Sequence, residues 1–149
     1  MCQNLSCTYK VQTLEQLKNG ELLGIKRLDL TENLTQFPRE IFDLATSLEV
    51  LDLSNNQLTE LPQDLGRLVN LKILFCSNNQ FTRLPDMLST CPKLEMIGFK
   101  SNRIVEVPNG SLPLHTRWLI LTDNKLSQLP ERLGELTRLE KLALAGNQI

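Results

Sequence analysis

The chain has 149 residues, a formal net charge of −1 and 41% hydrophobic residues, so it is long enough to bury the core of one domain. Its balanced charge argues against binding to nucleic acid or to an anionic membrane surface. Its apolar runs are far shorter than the roughly 18 to 20 residues that span a bilayer, and residues 1–10 lack the apolar stretch of a signal peptide. The composition therefore favours a cytoplasmic protein.

Two segments precede the first periodic residue. Residues 1–10 show no periodicity and are expected to be an exposed or disordered N-terminal extension. Residues 11–24 are expected to form a helical cap, because Thr13 is a favourable N-cap, Gln16 completes a capping box and Gly20 ends the helix. Such a cap covers the core and the strand edge that the first of a stack of repeats would otherwise expose.

Residues 25–149 repeat one apolar frame, L-x-x-L-x-L-x-x-N-x-L-x-x-L-P, at intervals of 22 or 23 residues. Each copy is long enough for one short strand and a returning segment, which cannot bury their apolar sides alone, so the copies must stack. The sequence therefore predicts an α/β solenoid of right-handed course, with a curved parallel sheet of about six strands and short 3₁₀ or irregular returns on the convex side. The return of repeat four is expected to be irregular because it contains Gly110 and Pro113.

The frame yields five complete repeats and a sixth that begins at Leu139 and stops at Ile149 after half a copy. No polar cap follows, so we expect either that the chain is a fragment of a longer polypeptide or that a partner covers this end. The open core layer of Leu139, Leu142 and Leu144 also predicts self-association, since two such ends could bury each other's apolar side chains.

An asparagine recurs in every copy of the frame, at the point where the strand turns away. Its amide group can hydrogen-bond backbone groups of neighbouring turns that would otherwise be buried without partners. We therefore predict a structural ladder with no catalytic role, formed by Asn33, Asn56, Asn79, Asn102, Asn124 and Asn147.

Side chains alternate along each predicted strand, so the fourth and sixth positions of a repeat face the core and the third and fifth face the concave surface. In the central repeats the concave positions are apolar and lie within a charged rim, which is the composition of a protein-binding surface. There are two alternatives: a register shifted by one residue would make these side chains core, or a longer protein or a homodimer could bury them. The predicted partner-binding residues are Val50, Ile73, Phe75, Met96, Trp118 and Ile120, with Asp52, Lys100, Arg103 and Arg117 at the rim.

Catalytic chemistry is poorly represented, and no catalytic, metal or cofactor-binding residue is predicted. His115 is the single histidine, and it has neither a nucleophile nor a second metal ligand at a suitable spacing, so it is interpreted as a surface residue. Cys76 takes a position that other repeats fill with a core residue, and with Cys91 it is expected to be a reduced core thiol. Cys2 and Cys7 have no partners at disulfide or metal spacing.

The frame, with Leu-Pro after the asparagine and Leu-Gly-x-Leu in the return, resembles the intracellular 23-residue class of leucine-rich repeats. Longer phrases, such as LFCSNN at 74–79 and RWLILTDN at 117–124, look similar to the N-terminal repeat domain of bacterial leucine-rich-repeat protein kinases. In that family a kinase domain follows the repeats. The resemblance implies a regulatory role for the repeats, but no kinase residue lies in this chain.

Two functions are compatible with these patterns, because fold alone does not define function. The first is a non-enzymatic protein–protein recognition module whose concave face binds a protein partner or an adjacent domain. The alternative is the regulatory or targeting repeat domain of a larger kinase-like enzyme whose catalytic part is absent from this chain.

Overall fold

The computed structural model describes residues 12–149 of the chain. Residues 1–11, which contain the predicted extension with Cys2 and Cys7, lie outside the described residues. Within the described part, six three-residue strands form one parallel sheet whose strand order follows the chain, which confirms the predicted solenoid with one strand per repeat. The strands are β1 (Arg27–Asp29), β2 (Val50–Asp52), β3 (Ile73–Phe75), β4 (Met96–Gly98), β5 (Trp118–Ile120) and β6 (Lys141–Ala143).

In the described part of the chain, one α-helix precedes the sheet. Helix α1 spans Leu14–Lys18, and its buried residue Leu17 packs into the core. Thr13 and Gln16 form the capping box: each side-chain oxygen accepts a hydrogen bond from the other residue's N–H, at 3.1 Å. Gly20 follows the helix with a φ of 83°, a conformation that glycine adopts without a steric cost.

The side chain of Gln12 is bonded to the outer edge of β1. The amide nitrogen of Gln12 donates to the Arg27 carbonyl at 3.0 Å, and its amide oxygen accepts from the Asp29 N–H at 2.7 Å. The Gln12 amide therefore takes the place of a neighbouring strand at an edge that would otherwise present free backbone groups.

The convex returns contain short 3₁₀ helices in four of the repeats. Three of them follow the proline of a Phe-Pro or Leu-Pro pair, whose fixed φ and missing N–H suit the start of a turn. The return of repeat four, residues 108–117, has turns instead, as its Gly110 and Pro113 predict. The 3₁₀ helices are η1 (Arg39–Leu44), η2 (Leu65–Arg67), η3 (Asp86–Thr90) and η4 (Glu131–Glu135).

The core lies between the sheet and the returns. Two aromatic rings in its centre, Phe81 and Phe99, meet edge to face with centroids 5.0 Å apart. At the sixth repeat the core is open, because the fourth-position residue Leu142 is 40% exposed. The fourth-position residues of the other repeats stand in register and are fully buried: Leu28, Leu51, Leu74, Ile97 and Leu119.

Five asparagines form a ladder that joins each repeat to the one before it. At Asn79, the amide nitrogen donates to the carbonyls of Leu53 (3.0 Å) and Cys76 (3.2 Å). The amide oxygen of the same residue accepts from the buried N–H of Leu58 at 2.9 Å. Bonds of the same kind are made by Asn56, Asn79, Asn102, Asn124 and Asn147.

Asn33 does not belong to this ladder, which corrects the sequence prediction. Its side chain is exposed and its backbone φ is 54°. In the other repeats a φ of this kind occurs one residue before the ladder asparagine, as at Asn55 (63°) and Asn78 (53°). The turn of repeat one is one residue shorter, so Asn33 takes the positive-φ position that Asn55 and Asn78 take in their own repeats, and the ladder position is lost.

Candidate functional site

The concave patch consists of the six apolar residues that the third and fifth positions place on one face of the sheet. Strand pairing brings Val50, Ile73, Met96 and Trp118 into a row, and a second row runs from Phe75 past Gly98 to Ile120. None of the six belongs to the core, and each is half-buried against its neighbours. The patch residues are Val50, Ile73, Phe75, Met96, Trp118 and Ile120.

Gly98 determines the position of the Phe75 ring. A Cβ atom on Gly98 would lie 2.8 Å from Cδ1 of Phe75 and 3.9 Å from Cβ of Ile120. The ring of Phe75 therefore lies over the glycine, in space that any larger side chain would fill. The sequence carries a signal for this contact, because a single glycine in a row of larger side chains indicates a close approach of a neighbouring group.

Trp118 lies beside a cation at the C-terminal end of the patch. The Lys141 ammonium is 4.8 Å from the centroid of the Trp118 ring, within the range of a cation–π interaction. The lysine therefore covers part of the half-buried indole ring.

At the opposite end of the patch, the rim is acidic and already partly neutralised. Nε of Arg27 lies 3.0 Å from Asp29, and Nη2 of Arg27 lies 3.8 Å from Asp52. Asp52 also accepts the Ser54 N–H at 2.9 Å. The predicted rim residue Asp52 is therefore held by an ion pair and a hydrogen bond within the chain.

The basic residues of the predicted rim lie in three different settings. Lys100 is exposed just after β4. Arg103 is also exposed but follows the asparagine turn, where its N–H donates to the Phe81 carbonyl, so it lies outside the strands of the concave sheet. Arg117 lies between two carboxylates, 2.8 Å from Glu95 and 2.8 Å from Glu140.

Arg117 belongs to a charge ladder that sequence reasoning missed. The second positions of the six repeats alternate in sign, and their backbones are joined, since each N–H donates to the carbonyl of the preceding second position. Hydrogen bonds from Glu140 and then Glu95 raise the pKa of Arg117, and the Arg117 hydrogen bond lowers the pKa of Glu140. The alternating charge of the second positions in the sequence could have revealed this charge ladder, whose residues are Lys26, Glu49, Lys72, Glu95, Arg117 and Glu140.

Three grooves lie between successive turns of the solenoid, with volumes of about 380, 260 and 450 Å³. They separate repeats four and five, repeats two and three, and the cap and repeat one, and each contains the Leu-Pro, Val-Pro or Phe-Pro segment. Because the grooves recur at equivalent positions, they follow from the repeat geometry.

The cysteine and histidine side chains of the described residues are buried or half-buried. Cys76 and Cys91 are free and buried, and burial raises the pKa of both thiols, that of Cys91 to about 11. His115 is half-buried, with Nε2 enclosed and unpartnered, so it is less exposed than a surface histidine. Among residues 12–149, no group of His, Cys, Asp and Glu is arranged to hold a metal ion.

Across the same range, no helix is long and apolar enough to cross a membrane.

Comparisons with known proteins identify the repeat. A family model for leucine-rich repeats in two copies matches residues 46–89. A 33-residue stretch, 22% of the chain, is 48% identical to the plant intracellular Ras-group-related LRR protein 7 of Oryza sativa subsp. japonica and covers 13% of that protein. The structure of an LRR protein from Leptospira interrogans matches with a TM-score of 0.66 at 24% identity, over 93% of this chain and 42% of that one. The chain therefore carries leucine-rich repeats and has their fold, and it spans less than half the length of either relative.

Proposed function

We propose that the chain is a non-enzymatic recognition module whose concave face binds a protein segment, supplied by a separate partner or by a neighbouring domain. The concave patch carries this proposal, because six half-buried apolar side chains stand in register on one face, outside the core. Solenoids use such concave sheets as extended binding surfaces, and contiguous exposed apolar patches commonly mark interaction sites.

Within the patch, Phe75 and Trp118 are the proposed anchors. Aromatic side chains at the centre of an interface supply large contact areas at a low entropic cost; the Phe75 ring lies over Gly98, and the Trp118 ring lies beside Lys141. Met96 lies between them in sequence and can adapt its shape to a partner. The remaining contacts are assigned to Val50, Ile73 and Ile120.

The rim residues are proposed to orient the partner. Asp52 and Arg117 are engaged in ion pairs within the chain, so their contribution to affinity is small unless a partner replaces those pairs. Lys100 and Arg103 are exposed and are assigned to steering of an acidic segment.

We also propose a cellular location and a repeat class for the chain, and both are based on the sequence alone. The composition and the resemblance support a cytoplasmic protein of the intracellular 23-residue class of leucine-rich repeats. For the isolated chain, self-association through the open side of repeat six is a second mode of interaction, favoured by the exposed Leu142.

A second candidate function is the regulatory or targeting domain of a larger kinase-like enzyme. The resemblance to bacterial leucine-rich-repeat kinases supports it. Sequencing the coding region beyond codon 149 tests this candidate. A reading frame with a glycine-rich loop and an H-R-D motif would support it, and a stop codon would eliminate it.

The recognition proposal can be tested by fluorescence, because Trp118 is the single tryptophan of the chain. A protein partner that binds the concave patch should shift Trp118 emission to shorter wavelength and protect it from acrylamide quenching. Phe75→Ala should weaken binding by on the order of 2 kcal/mol, about 30-fold, with little change in stability. A partner whose binding leaves Trp118 emission unchanged would place its site elsewhere.

Two control variants separate binding from folding. Leu114→Ala removes an exposed apolar side chain outside the sheet and should leave both affinity and stability unchanged. Leu74→Ala removes a fully buried side chain next to Phe75 and should destabilise the fold by about 2 to 5 kcal/mol. If Phe75→Ala or Trp118→Ala unfolded the chain as severely as Leu74→Ala, the concave assignment would be wrong.

A further inference from the structure

Two Asn-Gly pairs occur in the chain, Asn19–Gly20 after helix α1 and Asn109–Gly110 in the return of repeat four. An asparagine that precedes glycine can lose its side-chain amide without an enzyme, because glycine has no Cβ atom to shield its backbone nitrogen. Both asparagines are exposed, and both glycines have a positive φ, 83° at Gly20 and 85° at Gly110. Exposure and glycine conformation therefore do not distinguish the two pairs, but their hydrogen bonds do.

The reaction forms a ring between the two residues of such a pair. The glycine backbone nitrogen gives its proton to a base in the solvent and bonds to Cγ of the asparagine, and the side-chain nitrogen leaves as ammonia. Water then opens the cyclic imide at one of its two carbonyls, which yields aspartate or isoaspartate. The net change replaces an amide with a carboxylate and consumes water, so the reaction requires no oxidant, reductant or cofactor. The ring can close only if the intervening peptide rotates until the glycine nitrogen faces Cγ.

Hydrogen bonds hold the first pair at the end of helix α1. The Gly20 N–H donates to the Leu17 carbonyl at 3.4 Å. The amide oxygen of Asn19 accepts a hydrogen bond from the Glu21 N–H at 3.3 Å. Ring closure at this pair must therefore first open the bond of the nucleophile and the bond of the group that it attacks.

The second pair is held at its ends and not at its centre. Asn109 and Gly110 are the central residues of a turn in which the Ser111 N–H donates to the Pro108 carbonyl at 3.1 Å, and the Ser111 hydroxyl donates to the same carbonyl at 2.7 Å. In the described part of the chain, neither the Gly110 N–H nor the Asn109 side chain makes a hydrogen bond. Turns of types I and II differ in the orientation of this central peptide and keep the same closing bond, so the peptide can rotate without unfolding the return.

We propose that Asn109 is a site of spontaneous deamidation in the folded chain, and that the fold suppresses the same reaction at Asn19. The product carboxylate forms at the groove between repeats four and five, which Asn109 and Arg132 both line. A Cβ atom on Gly110 would lie 3.9 Å from Nη1 of Arg132, so the new negative charge forms near a guanidinium group. The groove lies outside the concave patch, so this modification site does not depend on partner binding there.

The test follows both asparagines in one sample. The native chain is kept folded in mildly alkaline buffer and is digested at intervals under acidic conditions, where the reaction is slow. Mass spectrometry of the peptides then measures the fraction of Asn19 and of Asn109 that has become aspartate or isoaspartate. A parallel sample in concentrated urea gives the reactivity of the two pairs without the fold.

In the folded chain, Asn109 should convert at least about tenfold faster than Asn19, because ring closure at Asn19 must first open two hydrogen bonds. In urea the two asparagines should convert at similar rates. Equal conversion of the two in the folded chain would overturn the assignment of Asn109. The same difference in urea would show that the local sequence, and not the fold, protects Asn19.

Asn109→Gln is the matched control, because it keeps the amide but would have to form a larger ring. Anion-exchange chromatography of the folded native chain should resolve an acidic form that accumulates with time, since each event adds one negative charge. The same form should be nearly absent from Asn109→Gln. An acidic form that accumulated equally in both proteins would place the reaction at another residue and overturn the proposal.

Discussion

Replacing Asn79 with leucine removes one ladder amide while keeping a side chain of similar size. The number of lost hydrogen bonds overstates the loss of stability, because each carbonyl that accepts from Asn79 also accepts from the asparagine of a neighbouring repeat. The Leu53 carbonyl also receives a bond from Asn56 at 2.9 Å, and the Cys76 carbonyl also receives one from Asn102 at 3.0 Å. Both carbonyls therefore keep one donor after the substitution.

The group that loses its partner is the buried N–H of Leu58, which donates to the Asn79 amide oxygen at 2.9 Å. Leaving one buried donor unsatisfied costs about 1 to 3 kcal/mol, so Asn79→Leu should lower the free energy of unfolding by that amount rather than by a multiple of it. A loss of 5 kcal/mol or more would show that the shared carbonyls do not compensate.

Urea denaturation measures the total effect, and amide hydrogen exchange locates it. The Leu58 amide should lose more protection than amides two repeats away, because the substitution removes its acceptor directly. Gln80→Leu, an exposed change at the next residue, should alter the free energy of unfolding by less than about 0.5 kcal/mol. An unchanged midpoint for Asn79→Leu, or an equal loss for Gln80→Leu, would refute the reasoning.

Three further outcomes are expected. Gly98→Ala should displace the Phe75 ring, because the new Cβ atom would lie 2.8 Å from it. The variant should therefore bind a partner about as weakly as Phe75→Ala does. An unchanged affinity in the fluorescence titration would contradict this. The isolated chain should associate as its concentration rises, and replacing Leu142 and Leu144 with glutamine should reduce this in sedimentation velocity, whereas a strict monomer over a wide concentration range would count against it. Because burial raises the pKa of Cys91 from 9.0 to about 11, the folded chain holds this proton more tightly, so its contribution to stability is complete below pH 9 and is lost as the pH rises towards 11. Denaturation midpoints of the native chain and Cys91→Ala, measured across that range, should show a smaller decline for the variant.

The period of the sequence was sufficient to predict the architecture. Its 22- or 23-residue spacing placed one strand in each repeat and fixed the register, because a two-residue alternation allows only one face of each strand to carry the leucines. The irregular return of repeat four also followed from local chemistry, since glycine and proline disfavour a helical turn.

Interactions between repeats were harder to predict. Asn33 matched the ladder by spacing, but the turn of repeat one is one residue shorter, so Asn33 takes the positive-φ position that precedes the ladder asparagine in the other repeats. The positive φ just before the ladder asparagine left a readable signal in four of the five cases, because Asn55, Asn78, Asp123 and Gly146 are residue types that tolerate this conformation; Ser101, which precedes Asn102, gave no such signal. The contact of the Phe75 ring with Gly98 could not be predicted from the sequence, because it depends on the distance between adjacent strands.

The Gln12 amide closes one edge of the sheet, and this gives the solenoid a mechanical polarity. A force that peels strands from the β1 side must first break two side-chain hydrogen bonds and lift a helix whose Leu17 is packed in the core. Within residues 12–149 the β6 side has neither feature, and the fourth-position residue Leu142 is in contact with water. When residues 12–149 are pulled from both ends, the strands should therefore detach one after another, beginning with β6 and ending with β1.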